Sequence, residues 1–210
     1  MEPIGNILSG ERLELALLQD YVMEIIYNAV EPEALLYGDT AIWRCYGGMR
    51  FSEDIDIYMK NASIEKLIKN LPKYGLALEG RDKDLQTIIR ISNGKTSLLV
   101  EAKEDIAESA IMPYVKVDGS TMAIEVLSPT ELLTMKIEAY GNRRYMRDLY
   151  DIYVLTGRLN SKDYFVRSKL LEFIKTIKEP ADEHVLKSLV YAGKVISYRD
   201  FLDYIKKWLA

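Results

Sequence analysis

The chain has 210 residues, 49% of them hydrophobic, with a formal net charge of −4, one cysteine and one histidine. Such a chain can bury a sizeable core as one domain, or as a compact domain with a helical appendage. The lone Cys45 leaves neither a disulfide framework within the chain nor a thiolate zinc cage, and the lone His184, in a charged late helix without a cysteine or histidine companion, disfavours zinc hydrolase chemistry and a Ser-His or Cys-His nucleophile scheme.

A single cysteine fits a reducing cytoplasm, and a net acidic chain can contact nucleic acid only through local patches. The best of these is Arg143, Arg144 and Arg147, with Lys162, Arg167 and Lys169 further on. The four-residue spacings from Arg144 to Asp148 and from Arg147 to Asp151 also suit an ordinary salt-bridged helix face. The first residues lack the basic start and apolar run of a signal peptide, and no uncharged stretch approaches membrane-spanning length. A cytoplasmic protein without a membrane partner is expected.

In chain order, Ser9 is placed to cap a helix over residues 10–28, where Leu13, Leu15, Leu17, Leu18, Val22, Ile25 and Ile26 form a broad apolar face. A short strand reaches Tyr37, Gly38-Asp39 turns the chain, and a short helix carries Ala41, Ile42 and Cys45 before Gly47-Gly48 ends it. The next strand holds Asp54 and Asp56. A helix over residues 63–69 stops around Pro72 and Gly75. Strands follow at residues 76–78, 85–91 and 96–102, the last two joined by Ser92-Asn93-Gly94-Lys95, and then at 111–117 and 122–126. Ser128-Pro129-Thr130-Glu131 has a capping-box pattern and opens a helix to about residue 140. Helical segments continue at residues 145–155, 162–177, 183–191 and 198–209. The expected division is a mixed sheet domain over residues 1–127 and a helical domain over 128–210.

Side chains in a strand alternate between faces, so Asp54, Asp56 and Tyr58 share one face while Ile55, Ile57 and Met59 share the other. Two carboxylates side by side repel each other, and a divalent cation between them reverses the sign. A solvated strand end with unrelated acids is the plain alternative, since D-x-D is a frequent pattern. Glu101 follows the apolar run Leu98-Leu99-Val100, and a sheet pairing that strand with the Asp54 strand puts Glu101 beside the aspartates. Glu104 and Asp105 are its rivals.

Two further residues break helical periodicity. Lys136 falls inside the apolar stripe of Leu132, Leu133, Ile137 and Tyr140, and Asp148 falls between Tyr145 and Ile152. A buried Lys136–Asp148 ion pair stapling two helices and a cleft that receives an anionic substrate both explain them.

Taken in order, Gly38-Asp39-Thr40-Ala41, Arg50-x-Ser52-Glu53-Asp54-Ile55-Asp56, Leu132-x-x-x-Lys136 and Arg147-Asp148-Leu149-Tyr150-Asp151-Ile152-Tyr153 resemble the AbiEii/AbiGii toxin family of nucleotidyltransferases, relatives of the DNA polymerase β-like superfamily. The resemblance runs from about Leu35 to Leu155. It implies an α+β fold, a small mixed sheet with flanking helices followed by a helical C-terminal domain. It also implies transfer of a nucleoside monophosphate from NTP to a hydroxyl of RNA, a tRNA 3′ end in characterised relatives. By the same resemblance Asp54 and Asp56, aided by Glu101, hold Mg²⁺ or Mn²⁺. Gly38, Asp39, Thr40, Arg50, Ser52 and Lys136 bind nucleotide, and Lys136 and Asp148 join the two aspartates as catalytic residues. Members are toxins of toxin–antitoxin or phage-defence systems, which implies a cognate antitoxin. The family usually has glycine or serine where this chain has Asp39, which is also suited to capping the Thr40 helix. The alternative from another class is a non-catalytic nucleotide- or partner-binding protein that retains the fold.

Overall fold

The computed structural model describes residues 2–82, 87–105 and 107–210. The chain forms two units, one of residues up to Cys45 together with Phe51–Leu127, the other of Tyr46–Arg50 together with Ser128–Ala210.

In the first unit, α1 (Gly10–Ile25) starts at Ser9, whose hydroxyl occupies the N-cap position without making a capping bond. Its α-helical part stops at Ile25, yet the helical run reaches Val30, two residues past the 10–28 expected. Residues Ile26–Val30 widen into one π turn, closed by Glu31 N–H donating to the Ile26 carbonyl at 2.8 Å. Pro32 ends the run at Val30, because a residue before proline is driven out of the helical region, and Glu31 is extended.

The chain then forms β1 (Leu35–Tyr37), α2 (Gly38–Arg44), β2 (Asp54–Tyr58), α3 (Asn61–Asn70), β3 (Ala77–Asp82), β4 (Thr87–Ser92), β5 (Ser97–Lys103), β6 (Ser109–Val115) and β7 (Thr121–Leu127). The strand expected from residue 85 is β4; Leu85 lies outside the described residues. Seven strands make one mixed sheet in the order β3-β4-β5-β2-β1-β7-β6. Strand β2 runs parallel to β5 and β1 parallel to β7, the other pairs being antiparallel.

Alternation sorts the central strands cleanly. Leu36, Ile55, Ile57, Val100 and Ala102 are buried on the face that α1 and α2 cover. Under those helices lies a fully buried Arg44, whose guanidinium sits 3.9 Å from the Trp43 ring centre and 3.3 Å from the Asp20 carboxylate. Asp20 in turn accepts from the Tyr114 hydroxyl and the Val117 N–H, so each buried charge has a partner. Burial pushes the Asp20 carboxyl above its usual range, with Arg44 pulling the other way.

Buried Gln19, also on α1, reaches the start of β2. Its side-chain amide donates to the Ser52 carbonyl at 2.9 Å and the Asp54 carbonyl at 3.3 Å.

The second unit is helical. Pro129 is the first residue of α4 (Pro129–Arg143), and the Ser128 hydroxyl accepts from Glu131 N–H at 3.2 Å. Then come α5 (Met146–Thr156), α6 (Tyr164–Thr176), the short α7 (Leu186–Leu189) and α8 (Tyr198–Leu209). A complete capping box of Ser197 and Asp200 opens α8; hydrogen bonds from Lys194 and Ser197 hold the Asp200 carboxyl well below its usual range. Segment Tyr46–Arg50 belongs to this unit through its backbone. Met49 N–H donates to the Tyr150 hydroxyl at 3.1 Å, the Met49 carbonyl accepts from Tyr191 N–H at 3.0 Å, and Arg50 bridges to Val190. Among the described residues no helix is long and apolar enough to cross a membrane.

Gln19→Met keeps the side-chain volume, removes the donor shared by the Ser52 and Asp54 carbonyls, and removes the oxygen that accepts from the buried Arg44 Nη2. A loss of about 1–3 kcal/mol is expected, read as a lower urea midpoint at unchanged slope. An unchanged midpoint would show that the amide does not secure the start of β2.

Candidate active site

Strand β2 places Asp54 and Asp56 half-buried on the face opposite the apolar layer. Its parallel register with β5 sets Asp56 directly across from Glu101 and Asp54 across from Leu99, which is the neighbourhood expected for Glu101. The rival Glu104 instead accepts from the Asn61 amide, and Asp105 lies 3.9 Å from Lys103. On the other side of β2, Tyr37 stands opposite Asp56 in antiparallel register.

Gly38 follows Tyr37 with φ +72°, a left-handed conformation that glycine adopts without strain. Its missing side chain is also needed for space, because a Cβ there would fall onto the Asp56 carboxylate. The turn after β1 is therefore built around Asp56.

Hydroxyls fix the other acid: Thr40 Oγ1 donates to the Asp54 carbonyl at 2.6 Å and Ser52 Oγ to Asp54 Oδ1 at 3.0 Å. Asp39 is not the cap of α2. Tyr37 is the N-cap residue, the helix starts at Gly38, and Asp39 lies in its first turn, where the helix dipole favours a carboxylate.

Tyr37 and Tyr58 pack with ring centres 4.2 Å apart, and the Lys103 ammonium lies 5.0 Å from the Tyr58 ring centre. Burial, then the charges of Asp56, Tyr58 and Glu101, pushes the Tyr37 hydroxyl far above its ordinary value. It stays protonated at neutral pH.

Asp54, Asp56 and Glu101 offer only hard oxygen donors, the set suited to Mg²⁺ or Mn²⁺. Among the described residues no group of three or more histidine, cysteine, aspartate or glutamate side chains closes into a metal cage.

The helical unit carries a second charged group. Lys136 is buried, with Nζ 2.9 Å from Asp151 Oδ2 and 3.8 Å from Asp148 Oδ1. Each aspartate has an arginine of its own. Arg143 donates from Nε and Nη2 to both oxygens of Asp148 at 2.9 and 2.7 Å, and Arg50 does the same to Asp151 at 3.1 and 2.8 Å. The four-residue pairs expected on the surface of α5 do not form, because Asp148 and Asp151 both point inward and are essentially fully buried. Arg147 Nε is buried and has no hydrogen-bond partner among the described residues.

Lys136 and Asp148 thus meet, but the shorter contact of Lys136 is with Asp151. The sequence pattern undervalued Asp151, and its signal was the same as that of Asp148, a charge three residues on along a buried helix face. The pairing of Arg50 with Asp151 spans 101 residues and no local spacing announces it.

The profile of the family described as "Nucleotidyl transferase AbiEii toxin, Type IV TA system" matches residues 23–189. No curated protein matches the sequence. Among solved structures the fold is similar to MenT4, a nucleotidyltransferase toxin from Mycobacterium tuberculosis H37Rv, with TM-score 0.66 and 17% identity over 95% of this chain and 82% of that one. It is similar to JHP933 from Helicobacter pylori, with TM-score 0.63 and 19% identity over 96% of this chain and 91% of that one. ANT(2″)-Ia, solved with adenylyl-2″-tobramycin, aligns with TM-score 0.50 and 12% identity over 75% of this chain and 98% of that one. At these identities the likeness is one of fold. With the family profile spanning most of the chain and a mixed seven-stranded sheet that carries the expected carboxylates, this protein belongs to the AbiEii toxin family and is a nucleotidyltransferase.

Proposed function

We propose that this nucleotidyltransferase moves a nucleoside monophosphate from an NTP to a hydroxyl of RNA, a tRNA 3′ end, and acts as a cytoplasmic toxin restrained by a cognate antitoxin. The observation that carries this reading is the register that sets Asp56 across from Glu101, with Asp54 on the same face and the side-chain-free Gly38 against Asp56.

Asp54 and Asp56 would hold Mg²⁺ or Mn²⁺, with Glu101 as a further oxygen donor. When bound, such an ion neutralises charge on the entering and leaving oxygens. Gly38 and Asp39 would meet the nucleotide, while the buried Thr40 and Ser52 act through Asp54, whose carbonyl and carboxylate they bind. The acceptor oxygen attacks the α-phosphorus in line, an O–P bond forms, the bond to the β-phosphate oxygen breaks, and pyrophosphate departs with that electron pair as the hydroxyl proton is released. Lys136 neutralises phosphate charge. Asp148 and Asp151 act as positioning residues that hold its ammonium, and Arg50 contributes through Asp151.

Asp54→Asn and Asp56→Asn should each abolish incorporation of labelled nucleotide into total tRNA. Thermal stability of the metal-free protein should hold or rise, since one of two like charges is removed. Substantial incorporation by either variant would exclude the proposed ion site.

Gly38→Ala forces a Cβ onto the Asp56 carboxylate at a positive φ. Transfer should collapse, with a stability loss of about 1 kcal/mol or more. Full activity in this variant would mean that Asp56 has no fixed position in the reaction.

Lys136→Met leaves each aspartate with its own arginine, whereas Asp151→Asn deprives both Lys136 and Arg50 of a buried counter-charge. Asp151→Asn should therefore cost about 3–5 kcal/mol, and Lys136→Met clearly less while losing most transfer. If Lys136→Met unfolded as readily as Asp151→Asn yet kept its turnover, the lysine would be only a staple between helices.

A further inference from the structure

Between Lys162 and Lys178 the sequence carries five basic and two acidic residues, in a chain whose net charge is −4. Helix α6 occupies most of this segment and is amphipathic in an unusual way. Val166, Leu170 and Phe173 are buried, while the opposite stripe shows solvent Tyr164, Ser168, Leu171 and Lys175. Tyr164 is 86% exposed and its neighbour Phe165 is 51% exposed. An outward helix face is ordinarily charged and polar, so two large rings in water within one helical turn, rimmed by cations, have the character of a contact surface. The Lys169 ammonium lies 5.6 Å from the centre of the Phe165 ring, joining a cation to one of these π faces.

Toward α4 the same helix borders a cavity of about 690 Å³, lined by Arg144, Lys169 and Lys178 around Tyr140 and Phe173, with Glu172 as the acid of its wall. The Arg144 backbone is fixed at both ends, its N–H donating to the Tyr140 carbonyl at 2.8 Å and its carbonyl accepting from Ala181 N–H at 2.9 Å. No ion pair engages Arg144, Lys169, Lys175 or Lys178 among the described residues.

Flat aromatic faces between unneutralised cations match the alternation of base and phosphate in a strand whose bases are unpaired. A protein partner would require acidic groups and an apolar hole for each ring, and a duplex would hide the bases that the rings could stack on. We propose that α6 is a docking surface for an unpaired stretch of RNA, with bases stacked on Tyr164 and Phe165 and phosphates held by Lys169, Lys175, Lys178 and Arg144. The choice of RNA rests on the acceptor assigned above; the preference for a single strand rests on the surface itself.

The test uses the full chain and a fluorescein-labelled single-stranded RNA oligonucleotide, with anisotropy followed over a range of salt. Wild type should bind it more tightly than a hairpin of equal length. The double variant Tyr164→Ala, Phe165→Ala should bind about tenfold or more weakly. Lys169→Ala with Lys175→Ala should reduce the slope of log K against log salt by about 0.7 for each phosphate left without its lysine. Mg·NTP affinity by calorimetry and the far-UV spectrum should not change in either, since these side chains are exposed or line the α6 surface. If wild type labels tRNA and binds the oligonucleotide while both variants match its affinity, slope and KM for tRNA, the docking surface is refuted and the RNA acceptor stands. If wild type neither binds RNA nor labels tRNA, the acceptor assignment fails and the inference falls with it.

Discussion

The register of β2 between β1 and β5 is the constraint on which the face carrying Asp54, Asp56 and Glu101 depends. Shifted by one residue, the strand would turn Ile55 and Ile57 toward water and drive Asp54 and Asp56 into the layer under α1 and α2. Each isoleucine would forfeit about 1.5–3 kcal/mol of burial. Each carboxylate would be stripped of water among apolar side chains, a larger penalty still unless it took up a proton. The two acids thus exclude the wrong register as firmly as the two isoleucines favour the right one. Gln19 and Thr40 add to this from outside the sheet, since both bind the carbonyl of Asp54, the residue with which the strand begins.

The helical unit solves a different problem, how to keep one lysine buried, charged and in place. A lone ammonium in that position would lose its charge or unfold the packing around it. Two aspartates counter it, and two arginines prevent those aspartates from becoming a liability, giving the alternating series Arg143, Asp148, Lys136, Asp151, Arg50. Such series are expensive to desolvate and are weak evidence for stability.

What could be read in the chain followed physical periodicity. Strands with a strict two-residue alternation, such as Asp54–Tyr58 and Ser97–Lys103, were legible, as was the Ser128 start of α4, because local chemistry alone sets them. Lys136 and Asp148 were legible for the opposite reason, as charges standing where an apolar residue was due. Arg44, Gln19 and Arg50 gave no such sign. Arg44 ends a short helix and looks like a routine basic residue near a C-terminus, and its burial follows only from Asp20, Trp43 and Tyr114 assembling around it. The position of Asp39 inside α2, not before it, shows how little local spacing says about where a helix begins.

The short excursion of Tyr46–Arg50 constrains how this protein can be divided or inherited. Because the main chain leaves the sheet unit after Cys45, returns at Phe51 and leaves again after Leu127, no single cut yields both units intact. A fragment beginning at Ser128 would contain Asp151 but not the guanidinium that chelates it, nor the backbone groups that meet Tyr150 and Tyr191. The helices are therefore poor material for exchange between lineages as a free-standing module. Change in the helices has to accumulate in place, while the five-residue insertion keeps the two halves genetically tied.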